Sequence, residues 1–178
     1  MRQSKIILPF PGLRQSTTWS CGAAALQMVL GYYGMDVRED TLRVQAGTTP
    51  KLGTPLAGMQ RVLRQHGLRV SSKPMTLDDV KRYLRKKIPV ILLLQAWTNR
   101  KNVDWAHYWN DGHYAVAIGY DARRLIFADP AALHRTALTY AEINTRWHDI
   151  DRDKKRYNHF GLAAFGKRPS YRPSRILH

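Results

Sequence analysis

The chain has 178 residues, of which 44% are hydrophobic, and its 29 basic and 13 acidic side chains give a formal net charge of +16. This length and hydrophobic content are typical of one globular domain with a substantial core. The single cysteine excludes an intramolecular disulfide framework. We predict one domain over residues 1–166, followed by a basic, flexible tail over 167–178.

The positive charge is uneven and concentrates in the segments 81–87, 152–156 and 167–175. Such a surface favours an acidic partner, which could be nucleic acid, an anionic lipid surface or an acidic peptide. Nucleic acid is the least favoured of these, because no zinc-ligand spacing, RNA-binding signature or clear recognition helix accompanies the charge. The scattered histidines and the one cysteine give no metal-binding spacing, so we expect no metal and no other cofactor.

The N-terminal segment contains a short apolar run, Ile6-Ile7-Leu8, which Pro9 interrupts. This run is too short for the hydrophobic region of a signal peptide. The longest later apolar run, 90–94, is too short to span a bilayer. We therefore expect a cytoplasmic protein, in which Ile6-Ile7-Leu8 forms a short strand or packed arm before a turn at 9–12.

The stretch QSTTWSCGAAALQMVLGYYG, residues 15–34, contains the only cysteine, Cys21, directly before an alanine-rich apolar run. Ala, Leu, Gln and Met favour helix and Gly34 ends it, so we predict a buried helix from Cys21 to Tyr33. A thiol in its first turn would face unpaired backbone N–H groups and the positive end of the helix dipole, which favour the nucleophilic thiolate. A lone cysteine beside alanines is, on composition alone, usually a small hydrophobic residue of the core. Hydroxyl groups that could cap this helix belong to Thr17, Thr18 and Ser20.

The segment from 36 to 95 is predicted to form three helices and two strands. The second of these helices has Thr54 as its N-cap and Pro55 at its first position. His66-Gly67 marks the end of that helix, so His66 is predicted to be a capping or surface residue. Thr76 is predicted to cap the third helix. The predicted elements are helices over 37–44, 56–66 and 77–84 and strands over 68–72 and 88–95.

Residues 96–112 are irregular and rich in aromatic side chains. Aromatic packing could simply hold a loop in place. Alternatively, the aromatic side chains could form one wall of a substrate groove, because loops often carry binding residues. The sequence leaves both interpretations open. The aromatic residues are Trp97, Trp105, Tyr108 and Trp109.

A hairpin is predicted from strands over 113–120 and 124–128. Antiparallel pairing would bring His113, at the start of one strand, close to Asp129, at the end of the other. Such contact would let the carboxylate orient the imidazole and stabilise its cation. Asp129-Pro130 alone also fits a turn that closes the strand. His107 is the rival histidine, and we prefer His113 because a strand holds its ring rigidly.

The rest of the chain is predicted to form a short helix that Thr139 caps and that ends at Trp147, then a last strand over 158–165. Taken together, a single cysteine with a distant histidine and aspartate is a candidate thiol nucleophile.

Three segments in this order and spacing resemble the C39 peptidases: Gln15…Cys21-Gly22-Ala23-Ala24, Gly112-His113-Tyr114-Ala115-Val116 and Ala128-Asp129-Pro130-Ala131. These are papain-like cysteine proteases, best known as leader-cleaving domains of bacteriocin-exporting ABC transporters. The resemblance covers about residues 8–147. It implies a papain-like α+β fold, in which a helical half carrying Cys21 packs on an antiparallel sheet carrying His113 and Asp129.

The resemblance also implies a Cys21–His113–Asp129 triad, with the Gln15 amide as an oxyanion donor. The implied substrate is a peptide or protein, cut after a small-residue pair such as Gly-Gly, and a membrane transporter is the implied partner. We expect a stand-alone domain of this type. Two alternatives stay open: the same residues could catalyse another acyl transfer, such as glutamine deamidation, or the domain could bind peptides without catalysis.

Overall fold

The computed structural model describes residues 5–151, 154–167 and 169–172. Helices and strands are named here in chain order. The helices are α1 (Cys21–Tyr32), α2 (Glu39–Ala46), α3 (Leu56–Gln65), α4 (Leu77–Arg85) and α5 (Tyr140–Arg146). The strands are β1 (Ile6–Ile7), β2 (Arg69–Pro74), β3 (Val90–Gln95), β4 (Gly112–Tyr120), β5 (Arg124–Ala128), β6 (Thr136–Thr139), β7 (His148–Ile150), β8 (Arg156–Asn158) and β9 (Phe160–Phe165).

A seven-stranded sheet forms one half of the fold. Its strand order is β2-β9-β3-β4-β5-β6, with β1 paired to β4 off this path. Every pair in it is antiparallel. The strands β7 and β8 form a separate two-stranded ribbon. The predicted α+β class with an antiparallel sheet is confirmed.

Helix α1 lies between the sheet and the helices α2 and α3. It packs against β4 on one side and against α2 and α3 on the other. Most side chains of α1 are buried, which explains its composition. Its alanines let neighbouring elements approach closely, while its leucine, methionine and valine side chains fill the remaining space. The predicted helix ends one residue earlier than expected, at Tyr32.

The predicted hairpin is confirmed as β4 and β5, joined by the turn at 121–123. Val116 pairs with Ala128, so Asp129 follows directly beyond the paired part of β5. Strand β4 is buried along its length after Gly112, because neighbouring strands cover its edges and helices cover its face. This pairing places His113 and Asp129 at the same end of the hairpin.

Side-chain caps fix the starts of the two helices on either side of the hairpin in sequence. Thr76 and Asp79 form a capping box at the start of α4, and Thr139 and Glu142 form another at the start of α5. In each box, the hydroxyl accepts the third-position backbone N–H, and the carboxylate accepts the N-cap N–H. The predicted caps at Thr76 and Thr139 are therefore confirmed.

Several element boundaries differ from the predictions. Thr54 is not the N-cap of α3: its hydroxyl hydrogen-bonds Thr48 Oγ1 at 2.9 Å, and Pro55 takes the cap position in extended geometry. The helix predicted over 37–44 begins at Glu39. The last predicted strand is split at His159, whose positive φ of 50° is incompatible with a continuous strand. Strands β6, β7 and β8 were not predicted, because runs of three or four residues are too short to show a periodic pattern.

Residues 169–172 of the predicted tail pack against the end of α1. The backbone N–H groups of Ser170 and Tyr171 approach the Tyr32 carbonyl oxygen at 3.2 Å and 3.4 Å. The other parts of that prediction, at 168 and 173–178, lie outside the described residues, as do residues 152 and 153 of the second basic segment. In the part of the chain that the structure describes, no helix is long and apolar enough to cross a membrane.

The close approach of α2 and α3 provides a test of this helical packing. A Cβ atom on Gly58 would overlap the carbonyl oxygen of Ala46, the last residue of α2. Alanine is the better helix former, but relief of this overlap requires the helices to separate. We expect Gly58→Ala to lower the free energy of unfolding by about 1–3 kcal/mol in urea denaturation.

Gly12→Ala is the matched control, since a Cβ on Gly12 would meet nothing within 4 Å. We expect its free energy of unfolding to stay within about 0.5 kcal/mol of the wild type. A Gly58→Ala protein as stable as the control would contradict the described contact between α2 and α3.

Candidate active site

A cleft of about 670 Å³ lies between the start of α1 and the end of the β4–β5 hairpin. Three of the four residues proposed from the sequence, Gln15, Cys21 and His113, line this cleft. The fourth, Asp129, lies buried behind His113. The structure therefore brings all four candidates to one region, from segments that span more than a hundred residues of sequence.

Cys21 is the first residue of α1 and is partly exposed to the cleft. No side chain caps this end of the helix, so the first turn keeps backbone N–H groups free of side-chain acceptors. Ser20 occupies the N-cap position, but the predicted capping bond from its hydroxyl is absent: Ser20 is fully buried, and its hydroxyl donates to the Thr17 carbonyl at 3.3 Å. An uncapped helix N-terminus favours negative charge at the Cys21 sulfur and at any oxygen bound nearby.

His113 and Asp129 form a buried, hydrogen-bonded pair. His113 Nε2 lies 2.7 Å from Asp129 Oδ1, and the two side chains are 7% and 6% exposed. This contact leaves Nδ1 as the ring nitrogen free to meet another partner. The Cys21 side chain lines the same cleft and interacts with the His113 side chain.

The pKa values of this pair favour the charged forms. Burial would lower the pKa of His113, but the hydrogen bonds to Asp129 and Cys21 and the charges of both groups outweigh it and raise the pKa above its usual value. Burial would raise the pKa of Asp129, but the hydrogen bond and charge of His113 lower it below its usual value. The arrangement thus stabilises an imidazolium next to a carboxylate at neutral pH.

Asp129 accepts three further hydrogen bonds that fix its orientation. The backbone N–H of Ala131 donates to Oδ1 at 2.9 Å, while Trp97 Nε1 and Thr136 Oγ1 each donate to Oδ2 at 3.1 Å. Both carboxylate oxygens are therefore satisfied, which a buried charge requires. The sequence indicated Trp97 only as one aromatic residue of a loop, and it carried no signal for Thr136.

Trp97 is held in an unusual conformation beside this carboxylate. Its φ is 63°, in the left-handed region that non-glycine residues rarely adopt, and its side chain is 56% exposed. Strain of this kind persists where the surroundings hold a residue in place. Here the indole reaches Asp129 and forms one wall of the cleft, so the predicted aromatic wall holds for Trp97.

Gln15 lies across the cleft and is tied to the segment that follows Asp129. Its backbone N–H donates to the Pro130 carbonyl at 2.8 Å. The side-chain Nε2 donates to the Thr17 carbonyl at 2.7 Å, and Oε1 is buried without a hydrogen bond from the described residues. An amide nitrogen carries two N–H donors, so one donor of Gln15 remains for a bound group.

A second polar network, which the sequence did not predict, supports the backbone just before His113. Gln95 is fully buried; its Oε1 accepts the Asp111 N–H at 3.1 Å, and its Nε2 donates to Asp149 Oδ1 at 3.0 Å. Gln95 also pairs with Gly112 in the β3–β4 register. These contacts join β3 and β7 to the residues that begin β4, and no local sequence pattern signals them.

The rival histidine lies outside this region. His107 is exposed and pairs with Asp104 at 2.8 Å. His66 ends α3, as predicted, and contacts Gln45. Among the described residues, no group of three or more His, Cys, Asp or Glu side chains could hold a metal ion.

Sequence comparison relates most of the chain to proteins of one family. Residues 10–150 match the model of the Peptidase C39 family. An uncharacterised protein of Methanothermobacter marburgensis is 29% identical over 119 residues, which cover 67% of this chain and 70% of that protein. The colicin V secretion/processing ATP-binding protein CvaB of Escherichia coli is 27% identical over 68% of this chain, a match that covers 15% of CvaB.

The fold is also that of a solved peptidase domain. The crystal structure of a double glycine motif protease from an AMS/PCAT transporter, in complex with the leader peptide, aligns with a TM-score of 0.64. The alignment covers 93% of this chain and all of that one, at 20% identity. The two chains therefore share the same arrangement of helices and sheet.

The contact between Cys21 and His113 predicts how the thiol reacts. Because His113 keeps a positive charge beside the sulfur at neutral pH, its removal should disfavour the thiolate. We expect His113→Ala to slow alkylation of Cys21 by iodoacetamide at neutral pH on the order of tenfold or more. The rate is measured by mass spectrometry of the intact protein.

His107→Ala is the matched control, since His107 is exposed and bonded to Asp104. We expect its alkylation rate to equal that of the wild type. Equal rates for wild type and His113→Ala would mean that the imidazole does not act on the thiol.

Proposed function

Because this chain belongs to the peptidase C39 family of cysteine peptidases, we propose that Cys21 is its catalytic nucleophile and that His113, Asp129 and Gln15 complete the site. The observation that carries this proposal is the buried His113–Asp129 pair, whose imidazole shares a cleft with the Cys21 thiol at the uncapped start of α1 and interacts with it. A structural cysteine needs none of these neighbours.

In the proposed reaction, the resting site holds a Cys21 thiolate and a His113 imidazolium. The raised pKa of His113 supports this state, since the ring keeps its proton at neutral pH. The thiolate attacks the carbonyl carbon of a peptide bond, and the carbonyl π electrons move to the oxygen. Asp129 holds the ring orientation and stabilises its cation throughout this step.

The tetrahedral intermediate carries negative charge on the former carbonyl oxygen. We assign its stabilisation to the backbone N–H of Cys21 and to the Nε2 donor of Gln15 that Thr17 leaves free. The Thr17 hydrogen bond fixes the amide in advance, so little reorganisation accompanies the reaction. The positive end of α1 adds to the same stabilisation.

Collapse of the intermediate breaks the carbon–nitrogen bond, and His113 gives its proton to the leaving amine. The acyl group stays on Cys21 as a thioester. Neutral His113 then takes a proton from water, whose oxygen attacks the thioester and releases the acid. The thiolate and imidazolium are restored, so each cycle consumes one water and one peptide bond.

We propose a peptide or protein substrate that is cut after a small-residue pair such as Gly-Gly. The support comes from the family and from relatives: CvaB is named a secretion/processing protein, and the aligned structure is a double glycine motif protease bound to a leader peptide. The aligned protease comes from a transporter, so we propose a membrane transporter as a partner of this chain.

The proposal is tested by incubating the protein with peptides that contain a central Gly-Gly pair and analysing the products by mass spectrometry. We expect two shorter peptides from the wild type and none from Cys21→Ala, because the thiolate forms the covalent intermediate. A product of unchanged length that has lost an amide group would instead identify a deamidase. No turnover of any peptide or glutamine substrate would support a binding module.

Gln15→Ala tests the oxyanion assignment separately. Loss of one oxyanion donor lowers kcat by about 100-fold to 1,000-fold in acyl transfer. We expect a fall of this size in kcat, with little change in KM, because the donor acts on the transition state.

Gln27→Ala is the control for this substitution. Gln27 belongs to α1 but lines a separate cleft, together with Pro11 and Tyr171. We expect wild-type kcat for this variant. If Gln15→Ala and Gln27→Ala had the same kcat, the oxyanion role of Gln15 would be excluded.

A further inference from the structure

A second cleft, of about 320 Å³, opens on the other side of Cys21. Its lining includes Cys21 itself, so a substrate that reaches the sulfur can occupy both clefts at once. The two differ in chemistry. The second contains two carboxyl groups, Asp149 and Asp151, and the Tyr114 hydroxyl, with Lys51 exposed on its rim.

Asp149 is oriented by hydrogen bonds to only one of its oxygens. Gln95 Nε2 and the Ile150 N–H donate to Oδ1 at 3.0 Å and 2.8 Å. None of the described residues donates to Oδ2. The carboxylate lies against Gly112, where any Cβ atom would overlap it. The glycine before His113 therefore makes room for a half-satisfied carboxyl group.

Tyr114 supplies a second polar group without a partner. Its side chain is 6% exposed, and among residues 5–151, 154–167 and 169–172 nothing hydrogen-bonds its hydroxyl. The hydroxyl is both donor and acceptor. Tyr114 and Asp149 thus both line this cleft, and the Tyr114 hydroxyl and Asp149 Oδ2 are both available to a bound group.

We propose that this cleft binds a basic group of the peptide substrate, a lysine or arginine side chain within a few residues of the cleaved bond, with Asp149 as the specificity-determining residue. The inference rests on the proposed peptidase function. An ammonium or guanidinium donates to Oδ2 and to the tyrosine oxygen and neutralises the carboxylate charge. An apolar side chain, which has no N–H or O–H donor, would leave both unpaired.

The electrostatics of the free protein agree with this assignment. The pKa of Asp149 is raised to about 7, mainly by burial and further by the charge of Asp151. The hydrogen bonds from Ile150 and Gln95 and the charge of His113 act in the opposite direction without cancelling the rise. The positive charge of His113 therefore does not outweigh the burial of this carboxyl group. A bound cation favours the ionised form, so cation binding should strengthen as the pH rises through about 7.

The charge of the cleft can be measured without a substrate by modifying Cys21. Two reagents are compared: cationic 2-aminoethyl methanethiosulfonate and neutral methyl methanethiosulfonate. We expect the ratio of their rates to be higher in the wild type than in Asp149→Asn, on the order of tenfold at about pH 8.5. The ratio should fall towards that of the variant at about pH 5.5, where Asp149 is protonated. His113 stays protonated over this range and does not add to the change.

The substitution to asparagine suits this test because the amide oxygen of the new side chain can still accept both existing hydrogen bonds. Asp40→Asn is the matched control: it changes the net charge equally, but Asp40 is on the surface beside Arg38. We expect its reagent ratio to match the wild type. Equal ratios for Asp149→Asn and Asp40→Asn would overturn the proposal, whether or not peptides are cleaved.

A peptide scan completes the test. In a peptide that the wild type cleaves, each residue on either side of the cut is replaced in turn by lysine or by uncharged norleucine. We expect lysine to raise kcat/KM about tenfold at one position, and Asp149→Asn to abolish that preference. Cleavage with no preference for lysine at any position would overturn this inference and leave the proposed peptidase intact. Absence of cleavage would refute the peptidase, while the reagent ratios would still decide the charge of the cleft.

Discussion

The buried hydrogen bond between His113 and Asp129 is the contact on which the rest of the site depends. A carboxylate removed from water is costly unless its oxygens are bonded and its charge is paired. Asp129 meets this requirement through donors from four separate segments: β4, the loop at 97, the turn at 131 and the start of β6. The hairpin, the strained Trp97 and the edge strand β6 are thus all needed to keep one carboxylate charged and one imidazole oriented.

The position of the thiol relative to this pair is set by the helical half. Gly22 follows Cys21 directly, and a Cβ atom there would overlap the Thr54 side chain, so only glycine lets the loop before α3 lie against the start of α1. Glu39, at the start of α2, accepts hydrogen bonds from the Ser16 N–H and hydroxyl at 2.9 Å and 2.7 Å. This carboxylate holds the segment between Gln15 and Cys21. The three helices therefore present the Cys21 thiol and the Gln15 amide to the sheet as one unit.

The features that the sequence predicted well are local. The apolar alanine-rich run specifies α1, and the alternation and turn between 113 and 128 specify the hairpin. Thr76 and Thr139 mark the starts of α4 and α5, because each forms a capping box with a residue only three positions later. The resemblance then placed Gln15, Cys21, His113 and Asp129 together. Contacts between distant segments had no such signal: Gln95 meets Asp149 across 54 residues. Thr54 was predicted to be an N-cap because threonine is common at that position. Its hydroxyl instead forms a hydrogen bond with Thr48.

The charge of the whole chain and the charge of the second cleft are opposite, and they act over different distances. A net charge of +16 creates a field that attracts acidic molecules. At physiological ionic strength this field decays over about 8 Å, so it influences the approach of a substrate rather than its final placement. Inside the cleft, screening is weak, and in the proposed role the Asp149 carboxylate selects the side chain that fits beside the thiol. A peptide that is acidic overall but basic next to its cleavage site satisfies both, because the two requirements apply to different parts of the same molecule.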